Sequence, residues 1–296
     1  MANNLWIPTS DTNWGNTADW SLGAVPVSTN NIYLSALYSV TNILSGFAQI
    51  GVTLASLNID SSYSGLIGTA QINGTATGYL NIGATSSYIG GPVAPGASAN
   101  GSGRINLNLA NSGAAVYVQA TAAQANDTGY TPLLLLGTAL VLQASGGVSG
   151  LALNVGETAS VATLNMVNGV SAPVVLLGSG CTLTTGVVEA GTLYNNSAAA
   201  STVTVRANGS MVYGGSGGFT ALNIADGCTV TYNGTGTITS LISTTTGGTL
   251  DLSGGTGAVT ITNYTAVPGL KIIDPLKRLT FSNQPTLSYI NQIVYG

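Results

Sequence analysis

Charge is what this sequence has least of. Asp, Glu, Lys and Arg make up 5% of its 296 residues, against roughly 25% in an ordinary soluble domain. Histidine is absent, which excludes a His-based triad, a His general base and zinc sites with His ligands. The five basic residues are too few to neutralise many phosphates, which argues against nucleic acid as a partner. The two cysteines, Cys181 and Cys228, match no metal or redox spacing and read as small buried hydrophobes, not a disulfide. Long apolar runs are lacking as well. Pro132 to Leu142, the most apolar stretch, is broken by Gly137 and Thr138, and a bilayer span needs about 20 residues. The first ten residues have neither the basic nor the apolar region of a secretory signal, so the expectation is a protein made in the cytoplasm and not inserted into a membrane.

What is present is apolar and small. Hydrophobic residues are 45% and glycines number 41, so a core can form although helices are disfavoured. No glycine-free stretch keeps an apolar 3.6-residue period beyond about three turns. Short strand-like runs recur instead: Leu54 to Ile59, Tyr79 to Ile82, Arg104 to Leu109, Ala115 to Gln119, Leu133 to Leu136, and Leu151 to Val155. Val174 to Leu177, Thr202 to Arg206, Thr229 to Tyr232 and Val259 to Thr262 continue the series. Gly, Asn, Ser or Pro clusters bound most of them.

The runs repeat. Thr131-Pro132-Leu133-Leu134-Leu135-Leu136-Gly137-Thr138 recurs as Ala172-Pro173-Val174-Val175-Leu176-Leu177-Gly178-Ser179, 41 residues later. Leu-Asn pairs sit inside apolar runs at Leu57-Asn58, Leu80-Asn81, Leu153-Asn154, Leu164-Asn165 and Leu222-Asn223. Such a displacement is two coils of about 20 residues, the length of one turn of a parallel β-solenoid. The fold expected is therefore all-β, a single right-handed parallel β-helix whose handedness follows the general crossover rule, with apolar residues inside and Thr, Ser and Asn outside. A β-sandwich is the competing reading. It would need Asn-Gly turns between equal paired strands, and Asn73, Asn100, Asn168, Asn208 and Asn233 are not so placed.

The ends differ from the body. Trp6, Trp14 and Trp20 all precede residue 21, and Lys271, Lys277 and Arg278 lie among Pro268, Pro275 and Pro285. Ile105 to Val205 holds only Asp127, Glu157 and Glu189 as charges. The expected organisation is a Trp-rich cap or docking segment at 1–50, a β-helix of roughly ten coils at 51–265, and a docking segment at 266–296. The six named aromatic and basic residues are the partner-docking candidates, since buried Trp and Arg are common interface anchors.

A resemblance enters with the N-terminal third. Trp14, Trp20, Gly23 and Pro26, followed by a strand, resemble the opening of β-helical surface and passenger proteins. Leu54-Ala55-Ser56-Leu57-Asn58-Ile59-Asp60, with Tyr63-Ser64-Gly65 and Ile67-Gly68, resembles β-helical virion proteins of tailed bacteriophages. The likeness covers roughly the first 110 residues. It implies a structural component of a virion surface that contacts other virion proteins of a capsid lattice and its own copies.

Catalytic and metal readings are weak. Known β-helix enzymes act on polysaccharides, and glycoside hydrolysis needs two carboxylates about 5–9.5 Å apart. Asp226 and Asp251 are the only acids near a one-coil spacing, yet neither has aromatic or basic neighbours to hold a sugar. Gly214-Gly215-Ser216-Gly217 and Gly254-Gly255-Thr256-Gly257 have the outline of calcium-binding rolls, but Phe219 and Val259 stand where Asp is required. No catalytic residue, metal or cofactor is expected. Two functions remain: a capsid decoration protein, or a receptor- or glycan-binding tail spike, fibre or adhesin. Glycan contact would fall on tyrosines such as Tyr79, Tyr88 or Tyr117.

Overall fold

Among the described residues of a computed structural model, nineteen strands and one turn of 3-10 helix, Thr17–Asp19, make up the regular structure. The structure describes residues 1–9, 11–68, 78–90, 105–119, 133–145, 153–155, 159–169, 172–243, 247–266, 269–283 and 293–294. The strands begin with β1 (Asn3–Leu5), β2 (Asn31–Leu34), β3 (Ala48–Ile59), β4 (Leu80–Ile89) and β5 (Ile105–Val118). Next come β6 (Leu133–Ser145), β7 (Leu153–Val155), β8 (Ser160–Val167), β9 (Val174–Leu177) and β10 (Thr182–Asn195). β11 (Ser201–Tyr213), β12 (Phe219–Ile224), β13 (Thr229–Tyr232), β14 (Gly236–Ser243) and β15 (Thr249–Asp251) continue the order. β16 (Val259–Ala266), β17 (Lys271–Ile273), β18 (Leu279–Phe281) and β19 (Ile293–Val294) complete it. Every pairing between named strands is parallel, and the strands stack in about nine turns. The chain is a parallel β-solenoid.

Two stacks of strands run the length of the solenoid, because most coils bend once within or between strands. In the first stack Ile32 pairs with Leu57, Leu57 with Ser87, Ser87 with Val116, Val116 with Leu142, and Leu142 with Leu164. Gly186, Val203, Leu222, Leu241 and Tyr264 extend the same column. Most of its members are buried, and each buried Leu or Val contributes roughly 1.5–3 kcal/mol. Ser87 is the polar exception, 3% exposed and with no hydrogen-bond partner for Oγ among the described residues. Because successive residues of a strand face opposite ways, the neighbouring column faces outward: Tyr33, Asn58, Tyr88, Tyr117, Gln143 and Asn165. Three of the five Leu-Asn pairs obey this register, and Leu80-Asn81 and Leu153-Asn154 lie on the other stack. Leu57, Leu164 and Leu222 share the inner column, and Asn58, Asn165 and Asn223 share the outer one.

The repeated octapeptides lie two coils apart, but their structural offset is 42, not the 41 of the sequence match. Leu135 pairs with Val155, and Val155 with Leu177. Burial decides the difference: Leu133 and Leu135 are buried, as are Val175 and Leu177, while Val174 and Leu176 are only partly covered. A slip of one residue would turn every one of these side chains inside out.

Coil length also departs from a uniform 20. Val230 pairs with Leu250 and Leu250 with Ile272, steps of 20 and 22 residues. Toward the N-terminus, Asn81 pairs with Asn106 and Asn106 with Leu134, steps of 25 and 28. The ladder also runs past the expected limits of 51 and 265. β1 and β2 stack below β3, while β17, β18 and β19 stack on β15, β16 and β17. Pro285, Arg104, Asp127, Glu157, Asn73 and Asn100 lie outside the described residues.

Candidate functional site: the two ends and the N-terminal flank

The N-terminal end is closed by the tryptophans. Residues 19–21 return antiparallel to β1 through Ile7 N–H to Asp19 O (2.8 Å), Ser21 N–H to Leu5 O (3.0 Å) and the Trp6–Trp20 bridge. This return covers the edge of β1 that would otherwise offer a template for another strand. Asn16 starts the 3-10 turn as its N-cap, accepting from Ala18 N–H. Trp6, Trp14 and Trp20 are 0–1% exposed and pack on one another, with ring centroids 4.7–6.5 Å apart. Trp6 Nε1 donates to Thr41 O and Trp20 Nε1 to Trp14 O. Tyr63 joins them, its hydroxyl donating to Thr41 O at 2.7 Å, and burial pushes its pKa up. As docking candidates the three indoles must be corrected: side chains this deeply buried present no surface to a partner, and their burial closes the first coil's interior.

Arg278 is corrected in the same way. It is 5% exposed, and its guanidinium donates to four carbonyls: Tyr232 and Leu252 from Nη1, Gly234 from Nη2, and Gly257 from Nε. These oxygens belong to the end of β13 and to the connections after β13 and β15, so one side chain ties together two coils. The fixed fork of donors is what an arginine offers and a lysine does not. A tight turn delivers it: Lys277 N–H bonds Asp274 O, with Pro275 between them, and buried Asp274 accepts from Arg278 and Leu279 N–H at 2.9 Å each. Of the basic candidates, Lys271 and Lys277 alone are exposed.

Asp226 and Asp251 do not form a catalytic pair. Asp251 pairs with Thr231 in the coil below, and the position facing Asp226 in the coil above is Gly247. The coil there is 20 residues, so a separation of 25 takes the two acids out of line. Phe219 and Val259, at the positions where calcium rolls place Asp, are core residues with 0% exposure. Among the described residues no three His, Cys, Asp or Glu side chains converge, and no helix is long and apolar enough to cross a membrane. Cys181 and Cys228 are buried and form no disulfide with each other. Burial, then the charge of Asp226, raises the Cys228 pKa, which disfavours the nucleophilic thiolate.

Two surface features come into view only once the coils are assembled. Eight of the thirteen large hydrophobic side chains exposed among the described residues lie within the first 50, including Leu22 at 50%, Leu37 at 86% and Ile50 at 75%. On the first stack an open cleft of about 290 Å³ is lined by Tyr33, Leu34, Ser35, Leu37, Tyr38, Asn58, Asp60 and Tyr88. Of the tyrosines singled out from sequence, Tyr88 lines this cleft, Tyr117 is 42% exposed one coil above it, and Tyr79 is buried. Comparison with family models, with curated proteins and with solved structures finds no match to the chain. The class defined is a parallel β-solenoid with a tryptophan-capped end and an arginine-stapled end.

Proposed function

We propose that the protein is a non-enzymatic structural component of a virion surface, most simply a decoration protein seated on a capsid lattice. The observation that supports docking is that exposed Leu22, Val27, Leu37, Val40 and Ile50 all fall within the first 50 residues of a molecule whose body is nearly uncharged. A cluster of exposed apolar side chains marks a contact surface more often than an accident of packing. Because the β1 edge is already covered, that contact is made by side chains and not by strand addition. Lys271 and Lys277 are the exposed basic side chains at the other end among the described residues and suit an acidic neighbour or a second copy. The resemblance of Leu54 to Gly68 to β-helical phage proteins supports a virion reading.

Immunogold labelling of particles from cells that carry the gene tests this reading. Label over the shell is the expected result. Label confined to tail tips would replace decoration by receptor binding, and label absent from particles would remove the virion reading altogether.

A further inference from the structure

We infer that the cleft around Tyr88 is a binding site for a neutral saccharide, tested on the purified chain apart from docking, although Leu37 lines the cleft and also belongs to the proposed docking side chains. Three consecutive coils build it. Tyr33 stands in register with Asn58, and Asn58 with Tyr88, so the three side chains rise in one outward column at the strand spacing of about 4.8 Å. A fixed turn forms the side wall. Tyr38 N–H and Ser39 N–H both bond Ser35 O, and Leu37 N–H bonds Ser35 Oγ, which holds Tyr38 over the cleft. Gly90 leaves the Tyr88 ring its place: a Cβ there would come 2.9 Å from that ring.

The chemistry of the lining selects the ligand. Asn58 spends its Nδ2 donor on Ile32 O and Ser56 Oγ, leaving Oδ1 as an uncommitted acceptor among the described residues. Hydrogen bonds from the Ser62 side chain and backbone N–H hold the Asp60 carboxyl below its ordinary pKa, so it is an ionised acceptor at neutral pH. Tyr88 is positioned by its hydroxyl, which donates to Gln119 Oε1 at 2.6 Å. Acceptors between tyrosine rings match a pyranose, which offers hydroxyl donors at its rim and C–H groups on its faces. An anion finds no lysine or arginine in the lining. Tyr117, in register one coil above Tyr88 and 42% exposed, continues the aromatic surface along the solenoid, as a linear oligosaccharide would need.

The test is titration of the purified chain with neutral oligosaccharides of glucose, galactose, mannose and N-acetylglucosamine, followed by calorimetry and by NMR of tyrosine ring signals. At least one series should bind and shift Tyr88. Tyr88→Ala and Asp60→Asn should each weaken binding about tenfold or more, the loss of one good contact. Tyr194→Ala, at an exposed tyrosine on the other stack, should leave it unchanged. Choline chloride is titrated in parallel, because tyrosines beside a carboxylate also suit a quaternary ammonium. No binding by any sugar, sugar binding that survives both cleft substitutions, or binding of choline in place of sugar would each overturn the assignment. Far-UV circular dichroism of the variants separates lost binding from lost fold.

Discussion

Gly255 and Arg278 occupy one space: a Cβ on Gly255 would stand 2.5 Å from Arg278 Nη1. The glycine therefore makes room for a guanidinium that satisfies four carbonyls in two coils. Arg278→Met keeps most of the volume and removes all four bonds. It should destabilise by several kcal/mol, because each buried carbonyl left without a donor costs about 1–3 kcal/mol. Arg278→Lys should recover only part of that, because an ammonium cannot match the fork. Gly255→Ala should destabilise as well, because its Cβ would meet both that guanidinium and the Asn233 carbonyl oxygen. Denaturant melts of the three variants check the set, and an Arg278→Met chain with an unchanged midpoint would show that the staple is not structural.

A second prediction concerns register. Leu135 is fully buried and its neighbour Leu134 is partly exposed, although both lie in one run of four leucines. Leu135→Asp buries an unpaired carboxylate and should cost several kcal/mol or prevent folding. Leu134→Asp should cost about 1 kcal/mol or less, as for an ordinary surface change. Thermal unfolding of the pair reads the difference directly. Equal melting temperatures would contradict the 42-residue offset, since an offset of 41 reverses the two positions.

Those leucines show how far the sequence could be read. The strand runs and the Leu-Asn pairs were visible because a solenoid repeats its inner and outer columns in every coil, so Leu57-Asn58, Leu164-Asn165 and Leu222-Asn223 reappear in register. The exact step was not visible, because four consecutive leucines lack the alternation that fixes which face is buried. Arg278 was missed as a core residue because a basic residue beside prolines reads as a solvated end. Its neighbours Asp274 and Pro275, a turn-forming pair just before it, were the available signal. The cleft was half legible: Tyr88 could be named, but Tyr33, Tyr38 and Asp60 join it only once coils of 25 and 30 residues are known. The N-terminal coils are longer than the repeat, so no fixed period could have aligned them.

A third prediction follows from Asp19, a carboxyl only 5% exposed with Oδ2 unpartnered among the described residues. Burial, then the negative charge of Asp11, raises its pKa above the ordinary 3.8. The folded state therefore holds this proton to higher pH than the unfolded state does. Stability from this group is greatest below the ordinary carboxyl value and falls as pH rises through the raised one, leaving a penalty at neutral pH. Asp19→Asn should melt higher than the parent at pH 7, and the gap should close as the buffer is taken below that ordinary value. Asp11 has the opposite sign: Asn16 holds its pKa down, so its contribution is kept at neutral pH and lost on acidification. Melting curves across pH check both directions. A parent that melts higher than Asp19→Asn at neutral pH would refute the penalty.

The last prediction separates the two ends. Leu37, Val40 and Ile50 are 49–86% exposed, and nothing in the capped core depends on their side chains. Substituting all three with serine should leave the melting temperature within a degree or two, since surface changes are usually worth about 0.5 kcal/mol or less each. On the proposed capsid docking, the same substitutions should weaken attachment to the shell strongly, because desolvated apolar side chains hold the centre of an interface. Lys271→Glu with Lys277→Glu acts by a different force. Its effect should be large at low salt and fade as ionic strength rises, because a charge contact between exposed groups is screened within about 8 Å at physiological salt. Arg278 must be left intact in this experiment, or the staple would be lost together with the charge. Co-sedimentation of each variant with shells depleted of the protein, across a salt series, distinguishes the outcomes. Loss with the serine triple at every salt concentration places attachment at the N-terminal end, and loss with the lysine pair alone places it at the other. If both variants sediment like the parent, the flank makes the contact and docking through the ends is wrong.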